Sequence, residues 1–239
     1  MTTTINLSDI TIEYPSADGE PVAETYIHLY AILTTLEVLQ QYLAGRQATV
    51  LANQFLYYAQ GFPRLRVAPD VMVIFDVPPG GRDNYKVWEE GQVPQVVLEM
   101  TSAGTQKQDQ EQKKLLYEQL GIVEYWLFDP KGEWINTKLQ GYRLQDEIYQ
   151  PITDSLSHPL GLRLEVEGDL LRFYRLDTGD KLLIPTELAE KAHNESQRAE
   201  AERQKAETER QRAETEMQRA NKLAEYLRSL GVDPDSVVN

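Results

Sequence analysis

The chain has 239 residues, 24 basic against 38 acidic side chains, a formal net charge of −14 and no cysteine. These figures exclude a disulfide framework and any Cys-ligated zinc or iron–sulfur centre, and they confine any nucleic-acid contact to a local patch rather than a basic surface. No apolar run approaches the roughly 18 residues of a membrane span, and Met1 to Glu13 lacks the basic and apolar regions of a signal peptide, so a soluble, cytoplasmic protein without membrane contact is expected.

In chain order, the spacing from Pro21 to Leu43 predicts a helix ended by Gly45, with Leu29, Leu33, Leu36 and Leu43 as its apolar stripe and Gln40 its polar break. Ala48 to Ala59 is rich in β-branched and aromatic residues and predicts a strand. Val67 to Val77 predicts a second, bounded by Pro78-Pro79-Gly80-Gly81. Arg82 to Gly91 is polar and predicts a loop carrying Tyr85 and Trp88. Gln95 to Met100 is nearly continuous in apolar residues, as a buried central strand is. Gln106 to Leu120 predicts a helix closed by Gly121, and Ile122 to Asp129 another strand followed by a turn at Pro130-Lys131-Gly132. Trp134 to Arg143, the region of Tyr149, Leu162 to Val166 and Leu170 to Leu176 predict further strands. The expected fold is α/β (α+β), a mixed sheet flanked by helices.

Beyond Pro185 the character of the sequence changes. Residues 1–186 hold 26 acidic and 15 basic side chains, whereas residues 187–228 hold ten and nine. AERQKAE, TERQRAE and TEMQRAN repeat in succession from Ala201 to Asn221, placing Ala199, Ala206, Ala213 and Ala220 seven residues apart. The composition predicts one long helix. Two readings of it stand: a coiled-coil stalk for assembly, or a solvated extension, since an alanine stripe buries little area. The expected organisation is a globular domain over 1–186, a helical tail over 187–230 and a disordered end over 231–239.

Two carboxylates interrupt apolar strands: Asp70 in VAPDVMVIF and Glu99 in QVVLEMTS. Buried charge is costly unless paired or metal-bound, and hard oxygen ligands suit Mg²⁺ or Mn²⁺. Alternatively each only caps a strand end facing water, the reading expected for Asp129 before Pro130. Along the helix 106–120, Lys113 shares the core-facing side with Leu116, Tyr117 and Leu120, while Lys114 lies with Glu111 and Glu118 on a face that reads as solvated. An inward lysine needs anionic partners. Asp70 and Glu99 can supply them, and Asp109, one turn earlier, is placed to orient it.

Pro69-Asp70, Glu99 on the next strand and a lysine, in the order helix, three strands, helix, strand, resemble the PD-(D/E)XK nuclease superfamily. VAPDVMV, YKVWEEG, VVLEMTS and DQEQKKLLYEQLGIVEYWLFDP resemble, more specifically, the Uma-type family of restriction-endonuclease-like proteins, from about Glu20 to Leu176. The resemblance implies Asp70 and Glu99 as metal ligands. The superfamily's lysine position, two residues after the glutamate, is Thr101 here, and the resemblance implies Lys113 of the following helix in its place. Glu24, one turn before His28, is a candidate for a further metal contact; an exposed helix pair is the alternative. Arg64, Arg66, Tyr85 and Trp88 are candidates for touching substrate. Tyr125 and Trp126 read as core, and no Gly-rich phosphate loop or Gly-x-Ser-x-Gly elbow is present.

Two functional readings follow. The first is a Mg²⁺-dependent endonuclease, a homo-oligomer such as a dimer, cutting DNA with Asp70, Glu99 and Lys113 as its catalytic set and Asp109, Tyr117 and Glu24 in support. The second is a catalytically silent module of the same fold, acting through its helical tail.

Overall fold

The computed structural model describes residues 12–19, 25–102, 104–231 and 233. The chain divides into two compact units, Met1–Pro185 and Thr186–Asn239.

In the first unit, helix α1 (Tyr26–Tyr42) precedes strands β1 (Ala48–Leu51), β2 (Leu56–Tyr57), β3 (Arg66–Val67), β4 (Val71–Phe75) and β5 (Tyr85–Lys86). A short helix α2 (Val87–Glu90) and strand β6 (Val96–Met100) follow. A wide π-helical turn (Gln108–Lys113) then runs into α3 (Lys114–Gln119), and strands β7 (Glu124–Phe128), β8 (Leu139–Gln145), β9 (Ile148–Ile152), β10 (Leu156–Ser157), β11 (Leu162–Glu167) and β12 (Leu170–Arg175) complete the unit.

The main sheet is mixed, in the order β1-β4-β6-β7-β8-β9. Among these neighbours only β6 and β7 run parallel. A parallel pair needs a crossover, and the helical segment between Gln108 and Gln119 supplies it. Every residue of β6 and β7 is buried, because both faces of the sheet are covered. Val71, Val73, Val96, Leu98, Trp126 and Phe128 point to one face, where they pack with Ile32 and Leu39 of α1 and with Leu162, Leu164 and Phe173. Met72, Ile74, Val97, Tyr125 and Leu127 point to the other, against Tyr117 of α3 and Tyr149.

Several expectations are corrected. The run Ala48–Ala59 is two strands in different sheets, and β2 joins β3 and β5 in a small sheet of its own. Tyr85 and Lys86 are therefore strand rather than loop, and α2 follows them directly. Of the expected stripe on α1, Leu36 and Leu43 pack in the core, but Leu29 and Leu33 are more than 40% exposed, and Ala31, Ile32, Thr34, Thr35, Val38 and Leu39 complete the core face. Small side chains allow close approach to the sheet, and Thr34 returns its hydroxyl proton to the Tyr30 carbonyl at 2.7 Å. Trp134 belongs to the loop before β8, whose first residue is Leu139. Asp129 does not face water; it is buried and its carboxylate accepts the Gly132, Trp134 and Ile135 amide protons.

The second unit is a single helix, α4 (Pro185–Ser229), with no buried residue. Ala199, Ala206, Ala213 and Ala220 are all exposed along it. The expectation for 231–239 lies almost wholly outside the described residues.

Candidate active site

The antiparallel register of β4 on β6 runs Val71↔Leu98, Met72↔Val97, Val73↔Val96 and stops there. At the next step the backbone ladder is replaced by side chains. The Asp70 Oδ2 accepts the Met100 amide proton at 2.6 Å, and the Asp70 amide donates to Glu99 Oε2 at 3.3 Å. Strand alternation puts Glu99 on the face of Val97, beneath Tyr117 and the crossover helix. Asp70 and Glu99 are thus adjacent because a strand pairing ends between them.

The crossover helix supplies the cation. Lys113 Nζ lies 2.9 Å from Glu99 Oε2 and 3.0 Å from Asp109 Oδ1. The Tyr117 hydroxyl donates to the other Glu99 oxygen, Oε1, at 2.7 Å. Asp109 and Lys113 both sit in the π-helical turn, a form found mostly as single turns within α-helices and often at functional sites. The Tyr125 hydroxyl bonds the Asp109 carbonyl at 2.9 Å, taking up a main-chain acceptor of that turn.

Charge in the cluster is unbalanced. Glu99 and Asp109 are essentially fully buried and the Asp70 side chain is 14% exposed, yet only one lysine faces the three carboxylates. Burial first, and then the neighbouring Glu99 charge, push the Asp70 carboxyl well above its ordinary range. Burial also raises Glu99, against the opposing pull of Lys113. Burial alone would depress the Lys113 ammonium, but Glu99, Asp109 and Asp70 outweigh it and hold the lysine protonated above its ordinary range. Tyr117 is held as a neutral phenol by burial and by Glu99.

Among the described residues no group of three or more His, Asp or Glu side chains forms a ready metal cage. The chemistry of the donors nevertheless fits a hard dication: they are carboxylate oxygens in excess of their cations, and the buried Asp109 carboxylate has only the lysine it shares with Glu99, at 3.0 Å. Asp70 and Glu99 are the residues that would hold Mg²⁺ or Mn²⁺.

The remaining candidates separate. His28 is buried rather than part of an exposed pair, with Nε2 3.9 Å from Asp70 Oδ2; its position beside the acids was legible only as the one-turn spacing from Glu24, which lies outside the described residues. Tyr85 is fully buried with its hydroxyl on the Gln92 carbonyl, which removes it from the substrate contacts. Arg66 lies over the Phe55 ring at 4.0 Å and donates to the Tyr57 hydroxyl, so that its planar face is already stacked. Arg64 is exposed, and Trp88 packs at 5.1 Å against Tyr14. Thr101 is buried and its amide donates to the Phe128 carbonyl, closing the end of the β6–β7 pair. Lys114 is not simply solvated; its ammonium sits 3.8 Å above the Tyr142 ring.

The main sheet thus carries an acidic pair and a lysine where its parallel strands end. The chain belongs to the Uma2 family, described as "Putative restriction endonuclease", whose profile matches residues 4–178. No curated protein shows significant similarity. A solved structure described as "a putative nuclease belonging to DUF820" from Anabaena variabilis is similar at 14% identity, over 59% of this chain and 77% of that one, with a TM-score of 0.42.

Proposed function

We propose that the chain is a divalent-metal-dependent endonuclease hydrolysing DNA phosphodiester bonds. The observation that carries this reading is the meeting of Asp70, Glu99 and Lys113 on one side of the main sheet, with more carboxylates than cations. A bound Mg²⁺ or Mn²⁺ would polarise the phosphate and acidify a water. The chain's own residues do the rest. Asp70 and Glu99 would hold the ion, and the paired Met100 amide and Tyr117 hydroxyl fix the orientation of the two carboxylates. Lys113, kept protonated by its three acidic neighbours, serves as a hydrogen-bond donor and counter-charge and not as a base. In the reaction the water oxygen bonds to phosphorus, one P–O ester bond breaks, and the departing oxygen takes a proton to leave as an alcohol.

A second copy fits this reading, since cutting both strands calls for two sites. The exposed Met217, Leu223, Tyr226 and Leu230 near the end of α4 offer the apolar area for pairing. The acidic balance of −14 favours the rival reading, a silent module of the same fold.

Incubating the full chain with supercoiled plasmid in Mg²⁺ or Mn²⁺ separates the two. Nicking that EDTA stops, and that Asp70→Asn, Glu99→Gln and Lys113→Met each reduce on the order of 10²-fold or more, is expected. Cleavage unchanged in these variants would refute the site, and DNA binding without any cleavage would establish the silent module.

A further inference from the structure

An open groove of about 900 Å³ is lined by Trp134, Asn136, Thr137 and Gln140 from the loop and strand after β7 and by Gln110 from the π-helical turn. Its place follows from topology. Strands β6 and β7 are parallel, with Glu99 opposite Leu127, so the segments that leave them emerge at the same end of the sheet. Gln110 is the immediate neighbour of Asp109, and the loop bearing Trp134 begins at Asp129, one residue past β7. Ligands of open α/β sheets bind outside the carboxyl ends of such strands.

The lining has a definite chemistry. Among the described residues, Glu165 is its single charged lining residue and already pairs with Arg163 at 2.7 Å, and no lysine or arginine lines the groove. A phosphate would find no cation there. What the groove offers is one aromatic side chain, Trp134 at 40% exposure, on a lining that mixes apolar groups such as Ile152 and Leu164 with uncharged amides and hydroxyls. Asn136 is exposed. Gln140 donates to the Tyr142 hydroxyl at 2.6 Å through its amide nitrogen, leaving its carbonyl oxygen as an acceptor. A flat heteroaromatic ring with donors and acceptors on its edge is the ligand matching these features.

The loop is also held rigid. The buried Asp129 carboxylate gathers the Gly132, Trp134 and Ile135 amides. Lys138 Nζ bonds the Pro130 and Gly168 carbonyls at 2.7 and 2.9 Å, tying the loop to the β11–β12 turn. Lys138 and Ser155, which flank the groove, adopt φ of 58° and 57°, a conformation unusual for residues other than glycine and retained where surrounding structure enforces it. A pre-set aromatic platform loses little freedom on binding.

We infer that this groove receives an unpaired nucleobase of the substrate strand, stacked on Trp134 and read at its edge by Asn136 and Gln140. The inference rests on the nuclease reading for the identity of the strand, but its test needs no cleavage. In EDTA, the full chain is titrated against a labelled single-stranded DNA oligonucleotide and an abasic oligonucleotide of equal length and phosphate count. Binding about tenfold tighter to the base-bearing strand is expected, as base–aromatic stacking supplies. Trp134→Phe keeps that preference, and Trp134→Leu, which retains apolar bulk without a stacking face, loses it. Equal binding of both strands, no binding of either, or an undiminished preference in folded Trp134→Leu overturns the inference. So does free deoxyadenosine competing as strongly per base as the strand, which would make the groove a nucleoside site. Loss of the base preference with plasmid nicking intact would strike this groove alone; loss of nicking with the preference intact would strike the metal site alone.

Discussion

Two glutamates stand fully buried on adjacent strands of the main sheet, and they are kept in opposite ways. Glu124 of β7 receives the Arg143 guanidinium at 2.9 Å and the His158 amide at 3.0 Å on one oxygen, and the Trp126 indole proton at 3.1 Å on the other. It has one cation for one carboxylate and no second acid against it. Glu99 of β6, on the opposite face, shares its one lysine with Asp109 and stands next to Asp70. The first is a closed ion pair, which fixes geometry and gives nothing to a ligand. The second is short of positive charge, and a dication would make up the deficit. Burial of a glutamate does not distinguish a structural from a reactive role; the local count of cations does.

The largest expected effect lies at the closed pair. Arg143→Met leaves Glu124 buried and unpaired, and denaturant unfolding should show a loss of about 3–5 kcal/mol. If the loss is instead within about 0.5 kcal/mol, Glu124 is not held by its arginine and the contrast with Glu99 collapses.

The next effect comes from packing around the same pair. Gly141 of β8 lies opposite Trp126, and a Cβ there would sit 2.5 Å from the indole ring. Gly141→Ala should displace the ring from Glu124 and lower stability by about 1–3 kcal/mol, with a changed near-ultraviolet tryptophan signal. An unaltered signal together with unaltered stability would show the ring to be free to move.

On the open side the effects are smaller. Lys114→Ala removes an ammonium from the Tyr142 face and should lower stability by about 0.5–1 kcal/mol, leaving plasmid nicking near wild type. An equal loss of nicking in Lys114→Ala and Lys113→Met would mean that the two lysines are not distinguished by the turn that carries them. Smallest of all is Asp70→Asn. It keeps an oxygen for the Met100 amide and deletes a charge that burial and Glu99 both oppose. Thermal unfolding in EDTA should therefore be unchanged or slightly raised. A marked fall would place Asp70 with the closed pairs.

The sequence made the acidic pair visible because a carboxylate inside an apolar strand is conspicuous, and it made Lys113 visible through its helical phase with Tyr117. The same criterion applies with equal force to Glu124 in IVEYWLFD. Only the distant Arg143 and His158, brought alongside by β8 and the turn after β10, show that this acid is already satisfied. Other features were hidden for physical reasons. Of the leucine stripe of α1, Leu36 and Leu43 pack in the core while Leu29 and Leu33 lie on the outer face, where Ala31, Thr34 and Thr35 take the inner positions. The break of Ala48–Ala59 into two strands depends on pairing with β3 and β5, which no local pattern encodes. The lining of the Trp134 groove comes from segments as far apart as Gln110 and Glu165.

The π-helical turn between Gln108 and Lys113 also bears on how this chain tolerates change in length. Such a turn holds one residue more than an α-helical turn would, and each residue of an α-helix advances by about 100°. Deleting a single residue between Asp109 and Lys113 would let the turn close into ordinary α form and shorten their spacing from four residues to three, which an α-helix still carries on one side. The same deletion inside a regular α-helix would turn the residues on either side of it by about 100°, so the wide turn makes this segment more tolerant of losing one residue than the helix that follows.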